Sequence, residues 1–279
     1  CKDNKGKFSF YICSMKRLLI VFFLFSQFSF AQTDSLKALK VAIGVEVALY
    51  SGSLYSLNKL WYSEYPRSEF HWHNDNNAWL QMDKIGHSTT AYQVGLLGMD
   101  LMRWGGVSNK KAVWYGGIYG AFFLTTIEIL DGFSKEWGAS WGDLIANTSG
   151  SFLLISQELL WEEQKVQLKF SFYPSNYAKE NYELLGSNFL EQSIKDYNAQ
   201  TYWLSTNLYS FISDNKIPKW LNIALGYGAN GMIEATSFDA ENRYRQFYFG
   251  LDVDLRKIET KKPLLNKLFK IISFIKIPA

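Results

Sequence analysis

The chain has little cysteine: two residues, Cys1 and Cys13, both ahead of Met15. From Met15 onward there is no thiol, which excludes a disulfide framework and any cysteine-ligated metal centre in that part. Charge of one sign is also missing. Twenty-nine Lys and Arg residues against 26 Asp and Glu leave a net charge of +3, spread without a basic stripe, so nucleic acid is not an expected partner. No H-E-x-x-H pair occurs, so the zinc-protease pattern is not present, and no cofactor is expected. Charged residues at 20% and a mean hydropathy of −0.12 argue against a chain that is mostly transmembrane helix. What is abundant is apolar and aromatic surface: 48% hydrophobic and 17% aromatic residues call for a large buried or lipid-facing area.

The stretch from Met15, MKRLLIVFFLFSQFSFAQ, has the parts of a secretory signal. Lys16 and Arg17 form a basic start, Leu18 to Phe25 an apolar run, and Ser29 and Ala31 the small residues before Gln32. The apolar run is shorter than the roughly 20 residues of a membrane span, so cleavage before Gln32 and export are expected. Residues 1–14 then read as an upstream extension and 15–31 as the signal peptide. The mature part would divide into a helical region, 32–164, and a β-rich region, 165–279, with truncation of the latter left open. The expected location is the cell envelope, on the periplasmic side and associated with membrane.

Four apolar stretches read as helices: 41–57, 84–103, 112–130 and 141–161. The third is the best candidate to span a membrane, with only Glu128 charged. Against a four-span arrangement, the loop with Arg103, Lys110 and Lys111 would fall on the periplasmic side, opposite to the usual cationic bias. The bundle is therefore expected to lie at a membrane without crossing it four times. Gly116 and Gly120, four apart, allow helices to approach closely.

From Lys165 the period changes to two. KVQLKFSFY places Val166, Leu168, Phe170 and Phe172 on one face and Lys165, Gln167, Lys169 and Ser171 on the other. WLNIALGYG and QFYFGLDVDL repeat the alternation of half-buried antiparallel strands. Three or four strands are too few for an outer-membrane barrel, but enough for a small sheet packed on the helices. The last stretch, LLNKLFKIISFIKIPA, is basic and amphipathic, suited to a membrane surface or to packing as a helix or strand in the core. The fold class expected is α+β, an N-terminal bundle of about four helices followed by a small antiparallel β region.

Inside the apolar helices, polar residues recur at helical spacing. Asp83 and His87 are four apart at the start of the second helix, Glu128 and Asp131 three apart at the end of the third, and Ser140, Asp143, Asn147 and Gly150 lead the fourth. Ionisable groups in an apolar helix are costly unless paired. Antiparallel neighbours joined by short loops put the start, end and start of successive helices at one level. Asp83, His87, Glu128, Asp131, Asp143 and Asn147 are therefore expected to meet in one cluster, with His87 held by Asp83 or Asp143. The pattern Asp83-Lys84-x-x-His87, Glu128-x-x-Asp131, Ser140-x-x-Asp143-x-x-x-Asn147-x-x-Gly150 resembles the YfiM-like family of predicted periplasmic lipoproteins, a domain of unknown function. It is more distantly similar to the VanZ-like membrane proteins, which share the D-K-x-x-H opening and a late D-x-x-x-N-x-x-G. The resemblance covers about 78–160, implies an envelope location and carries no catalytic activity. The cysteine that follows a lipoprotein signal is missing here, which departs from the family description.

Three uses of the cluster stand side by side: a structural network that sets helix register, a site for a lipid headgroup or envelope protein partner, and a hydrolase-like or metal-dependent enzyme site. One imidazole with several carboxylates suits a hard divalent cation or a water-activating base. The envelope-binding reading is taken first, and an enzyme acting on a lipid-linked or phosphorylated envelope substrate is the alternative. His71 and His73 form an H-x-H pair in a polar loop, read mainly as solvated, and Gly226-Tyr227-Gly228 reads as a strand end or bulge.

Overall fold

The structure, a computed structural model, describes residues 35–63, 65–212, 216–236 and 242–277. The signal segment and both cysteines lie outside the described residues. Four long helices come first: α1 (Ser35–Leu57), α2 (Met82–Trp104), α3 (Asn109–Gly132) and α4 (Trp141–Trp161). The start of α2 meets the end of α3 and the start of α4, while Arg103 at the far end of α2 bonds Glu158 near the far end of α4. Helices α2 and α4 therefore run the same way and α3 runs back between them.

Small residues set how closely these helices pack. A Cβ on Gly120 would stand 1.9 Å from the Ala91 carbonyl oxygen, and one on Gly150 would stand 2.0 Å from that of Ser88. Backbone lies on backbone at both crossings, and no larger residue fits. Around them Tyr92, Leu96, Met99, Met102, Val113, Leu154 and Ile155 form the apolar core.

Beyond the bundle lie β1 (Val166–Phe172), the short helices α5 (Tyr182–Leu185) and α6 (Phe189–Lys195), β2 (Gln200–Asn207), the turn helix α7 (Leu208–Ile212), β3 (Leu221–Asn230), β4 (Tyr244–Val253) and α8 (Pro263–Ile272). The strands form one antiparallel sheet in the order β1-β2-β3-β4. The fold is α+β. Residues on one face follow the rung Leu168, Leu204, Leu225, Phe249, and residues on the other follow Lys169, Trp203, Gly226, Tyr248. The first face packs on α2 through Leu168, Phe170 and Tyr202, beside Met82 and Ile85.

The second, polar face is the enclosed one. Lys169, Ser205, Asn207, Asn222 and Asp252 are essentially inaccessible to solvent. Residues 274–277 close this side: Ile275 bridges to Phe170 on β1, and the Val253 amide on β4 donates to the Ile277 carbonyl. Where the apolar face passes beyond α2 it is open, with Leu225, Phe247, Phe249 and Leu251 58–77% exposed. Gly226-Tyr227-Gly228 is neither a strand end nor a bulge. It lies within β3 in continuous register, and Gly226 leaves room for the Trp203 ring across the strand pair. Helix α3 alone among the described helices is long and apolar enough to cross a membrane. Core helices of soluble proteins pass the same test, so no span is assigned.

Candidate functional site

The site forms where α2 begins, α3 ends and α4 begins. Local sequence dictates each boundary. Ser140 caps α4, its hydroxyl accepting from the Asp143 amide at 3.3 Å, so Asp143 sits in the first turn near the positive end of the helix dipole. Before α2, Trp79, Leu80 and Gln81 hold left-handed backbone conformations, φ 49°, 50° and 64°. Such conformations cost non-glycine residues of order 1–3 kcal/mol each. They are held from outside: the Trp79 amide bonds the Ala235 carbonyl, the Tyr227 hydroxyl donates to the Leu80 carbonyl, and Arg245 bonds the Gln81 side chain at 2.6 Å. The sheet thereby fixes how α2 enters the site.

At the centre, the Lys84 ammonium bonds three carboxylates: Asp75 Oδ2 at 2.6 Å, Asp143 Oδ2 at 2.7 Å and Asp83 Oδ2 at 3.1 Å. His87 lies one turn further along α2. Its Nδ1 is 2.9 Å from Asn147 Oδ1 and 3.7 Å from Glu128 Oε1, while Nε2 is 3.7 Å from Asp83 Oδ1. The closest partner of His87 is thus Asn147, not Asp83 or Asp143. The Tyr197 hydroxyl donates to Asp83 Oδ1 at 2.6 Å, and the Ser140 amide donates to Glu128 Oε2 at 3.0 Å. Asp131 stands at the margin, bonded at 2.6 Å by the Tyr62 hydroxyl. Glu128, Asp143 and Asn147 are buried, while Asp83, Lys84 and His87 keep some access to solvent.

The cluster is short of positive charge. Among the described residues, the cations that Asp75, Asp83, Glu128, Asp131 and Asp143 face are Lys84 and His87. The imbalance appears in the ionisation of Glu128, Asp143, Asp131, Asp83, His87 and Lys84. Burial pushes Glu128 up to about 8, with Asp143 adding repulsion and His87 opposing. Burial, then the neighbouring Asp83, raises Asp143 to about 7 against the pull of His87 and Lys84. Burial lifts Asp131 to about 6, with the Tyr62 hydrogen bond opposing. For Asp83, burial is outweighed by His87, Lys84 and Tyr197, and the carboxyl is held below its ordinary range. For His87 and Lys84, burial is outweighed by surrounding carboxylates, and both are raised. Within the cluster, two buried side-chain atoms, Asp143 Oδ1 and Asn147 Nδ2, have no hydrogen-bond partner among the described residues.

Sequence reasoning left out four contributors. Lys84 is in the quoted motif and had the signal of its neighbour Asp83. Asp75, Tyr62 and Tyr197 come from non-periodic segments, and nothing in their spacing points to the cluster. His71 is engaged elsewhere, Nε2 at 3.2 Å from the Trp137 carbonyl oxygen. A surface depression lined by Tyr173, Asn176, Tyr177 and Tyr248 lies on the sheet side and contains none of the cluster residues.

Residues 69–156 match a family model described as predicted periplasmic lipoprotein (DUF2279). The match contains Asp75 and every cluster residue that α2, α3 and α4 supply, but not Tyr62, Tyr197 or the sheet. It supports a periplasmic-lipoprotein domain of unknown function and agrees with an exported, membrane-associated envelope location. No curated protein and no solved structure matches the chain.

Proposed function

We propose that this is an envelope protein that binds membrane lipid, its apolar sheet face resting against acyl chains and α8 against the headgroups. The observation that carries this reading is the inverted sheet. Its charged face is enclosed, while Leu225, Phe247, Phe249 and Leu251 stand open on the other side. In a water-soluble sheet the open face is the polar one, and an apolar patch of this kind is a contact surface. The outward residues Ile118, Phe122 and Ile129 of α3 and Ile145, Phe152 and Leu160 of α4 add further open apolar surface. Helix α8 has Lys267 and Lys270 within it and Lys261 and Lys262 just before it, alongside open Leu264 and Ile271. Cations beside an apolar stripe fit an anionic lipid surface better than a protein groove.

The test is flotation of the mature chain with vesicles of phosphatidylglycerol and phosphatidylcholine. Binding should favour the anionic vesicles and survive a high-salt wash, because salt screens charge but not apolar contact. The Phe247→Ser/Phe249→Ser variant should lose most of the salt-resistant fraction. A chain that stays monomeric and vesicle-free in plain buffer would overturn the reading. A second reading, an enzyme acting on a lipid-linked or phosphorylated substrate, is favoured by His87 standing among carboxylates. It predicts turnover of such a substrate that His87→Gln abolishes.

A further inference from the structure

We infer that Asp83, His87 and Asp143 form a binding site for one divalent transition-metal cation. One ligand atom from each of the three lies within 4.8 Å of the others. That spacing suits a single ion with bonds of roughly 2.0–2.4 Å to nitrogen and oxygen. Lys84 does not take up these ligands entirely. It bonds Oδ2 of both aspartates; Oδ1 of Asp83 accepts from the Tyr197 hydroxyl and keeps a second lone pair on the side of His87 Nε2, and Oδ1 of Asp143 is without a partner among the described residues.

The surroundings of His87 are an independent observation. Its Nδ1 bonds the side-chain oxygen of Asn147, a fully buried residue whose Nδ2 also lacks a partner among the described residues. With Nδ1–H donating to that oxygen, Nε2, the nitrogen facing Asp83, is the one left for the metal, which displaces its proton on binding. Metal-ligating histidines are oriented in this way by a fixed acceptor on their other nitrogen. The excess of carboxylates over cations supplies the attraction. An imidazole with two carboxylates favours manganese or zinc over calcium, which takes six to eight oxygens. The inference is independent of lipid binding.

The experiment uses the mature chain in detergent, stripped with chelator and titrated with Mn2+ or Zn2+ alone, with Ca2+ as comparison. One equivalent should bind and raise the unfolding temperature, and Asp143→Asn and His87→Gln should each weaken binding at least 100-fold. Asn147→Ala, which removes only the orienting group, should weaken it by about 10–100-fold. His71→Gln/His73→Gln should leave it unchanged. Loading with Co2+ gives a second readout: its visible absorption should change in His87→Gln if that variant still binds, and its intact spectrum there would overturn the site. Failure of the parent chain to bind one equivalent, or loss of binding in the His71/His73 variant alone, would also overturn it.

Discussion

Both halves of the molecule bury charge, but they do so differently. In the sheet, Lys169 and Asp252 form a pair at 2.7 Å with no solvent access, and both make further hydrogen bonds. Lys169 also donates to the Val253 carbonyl, Asp252 accepts from Ser205 and from the Ile277 amide, and Ser205 accepts from Asn222, which is bonded in turn by Asn207. In the helix-end cluster, five carboxylates share one ammonium and one imidazole, and two buried polar atoms have no partner among the described residues. A buried ion pair is sustained only when its hydrogen bonds are complete. The sheet network meets that condition and holds strands together. The cluster does not: its carboxylates outnumber its cations, and the cation site inferred above rests on that imbalance.

The largest expected effect is on the balanced side. Lys169→Met removes the ammonium that bonds buried Asp252 at 2.7 Å and should cost about 3–5 kcal/mol, read from denaturant unfolding in detergent. Adding Asp252→Leu should recover much of this loss, since an apolar pair of similar volume often equals a buried ion pair. If the double variant is no better than the single one, the pair is not an isolated balanced unit and the contrast weakens.

How much of this was legible in the sequence follows from the same contrast. The polar insertions of α2, α3 and α4 stand out because they interrupt apolar stretches at steps of three and four, so helix positions and their shared end could be read. Strand alternation showed which residues share a face, as in Lys169 with Gln167. Period two does not say which face is enclosed, and here α2 packs on the apolar face while residues 274–277 close the polar one. Tyr197 was illegible because it reaches Asp83 from a short 3-10 turn 114 residues away, a tertiary contact with no local periodicity. Asp75 was lost in a polar loop, where a carboxylate is ordinarily solvated.

The next effect concerns what keeps the cluster assembled. The ion pairs around Lys84 are only partly shielded, whereas Gly150 lets α4 lie on the backbone of α2 beside Ser88. Gly150→Ala places a Cβ 2.0 Å from the Ser88 carbonyl oxygen, a contact that only backbone movement relieves. Overpacking of this kind should cost about 1–3 kcal/mol and weaken metal binding without touching a ligand. Unchanged stability would show that the bundle yields more easily than its close crossings imply.

The smallest effect isolates the unbalanced condition in its simplest form, a lone buried carboxylate. Glu46 on α1 faces the bundle near Gly98, and its Oε1 has no partner among the described residues. The Tyr119 hydroxyl bonds the Glu46 backbone carbonyl and leaves the carboxyl alone. Burial raises its pKa from 4.5 to about 7. A carboxyl raised in the folded state favours folding while protonated, so its contribution is complete below pH 4.5 and is lost as pH rises through about 7. Glu46→Gln keeps the shape and removes the titration. The variant and the parent should unfold alike near pH 4.5, and the variant should be the more stable at pH 8. The difference should be about 1 kcal/mol or less, because partial solvation screens the charge. It should develop across the window from 4.5 to 7, followed by thermal unfolding at a series of pH values. A parent that gains stability over that window relative to Glu46→Gln would mean that Glu46 has a cation after all, and the contrast between lone and paired carboxylates would not hold for α1.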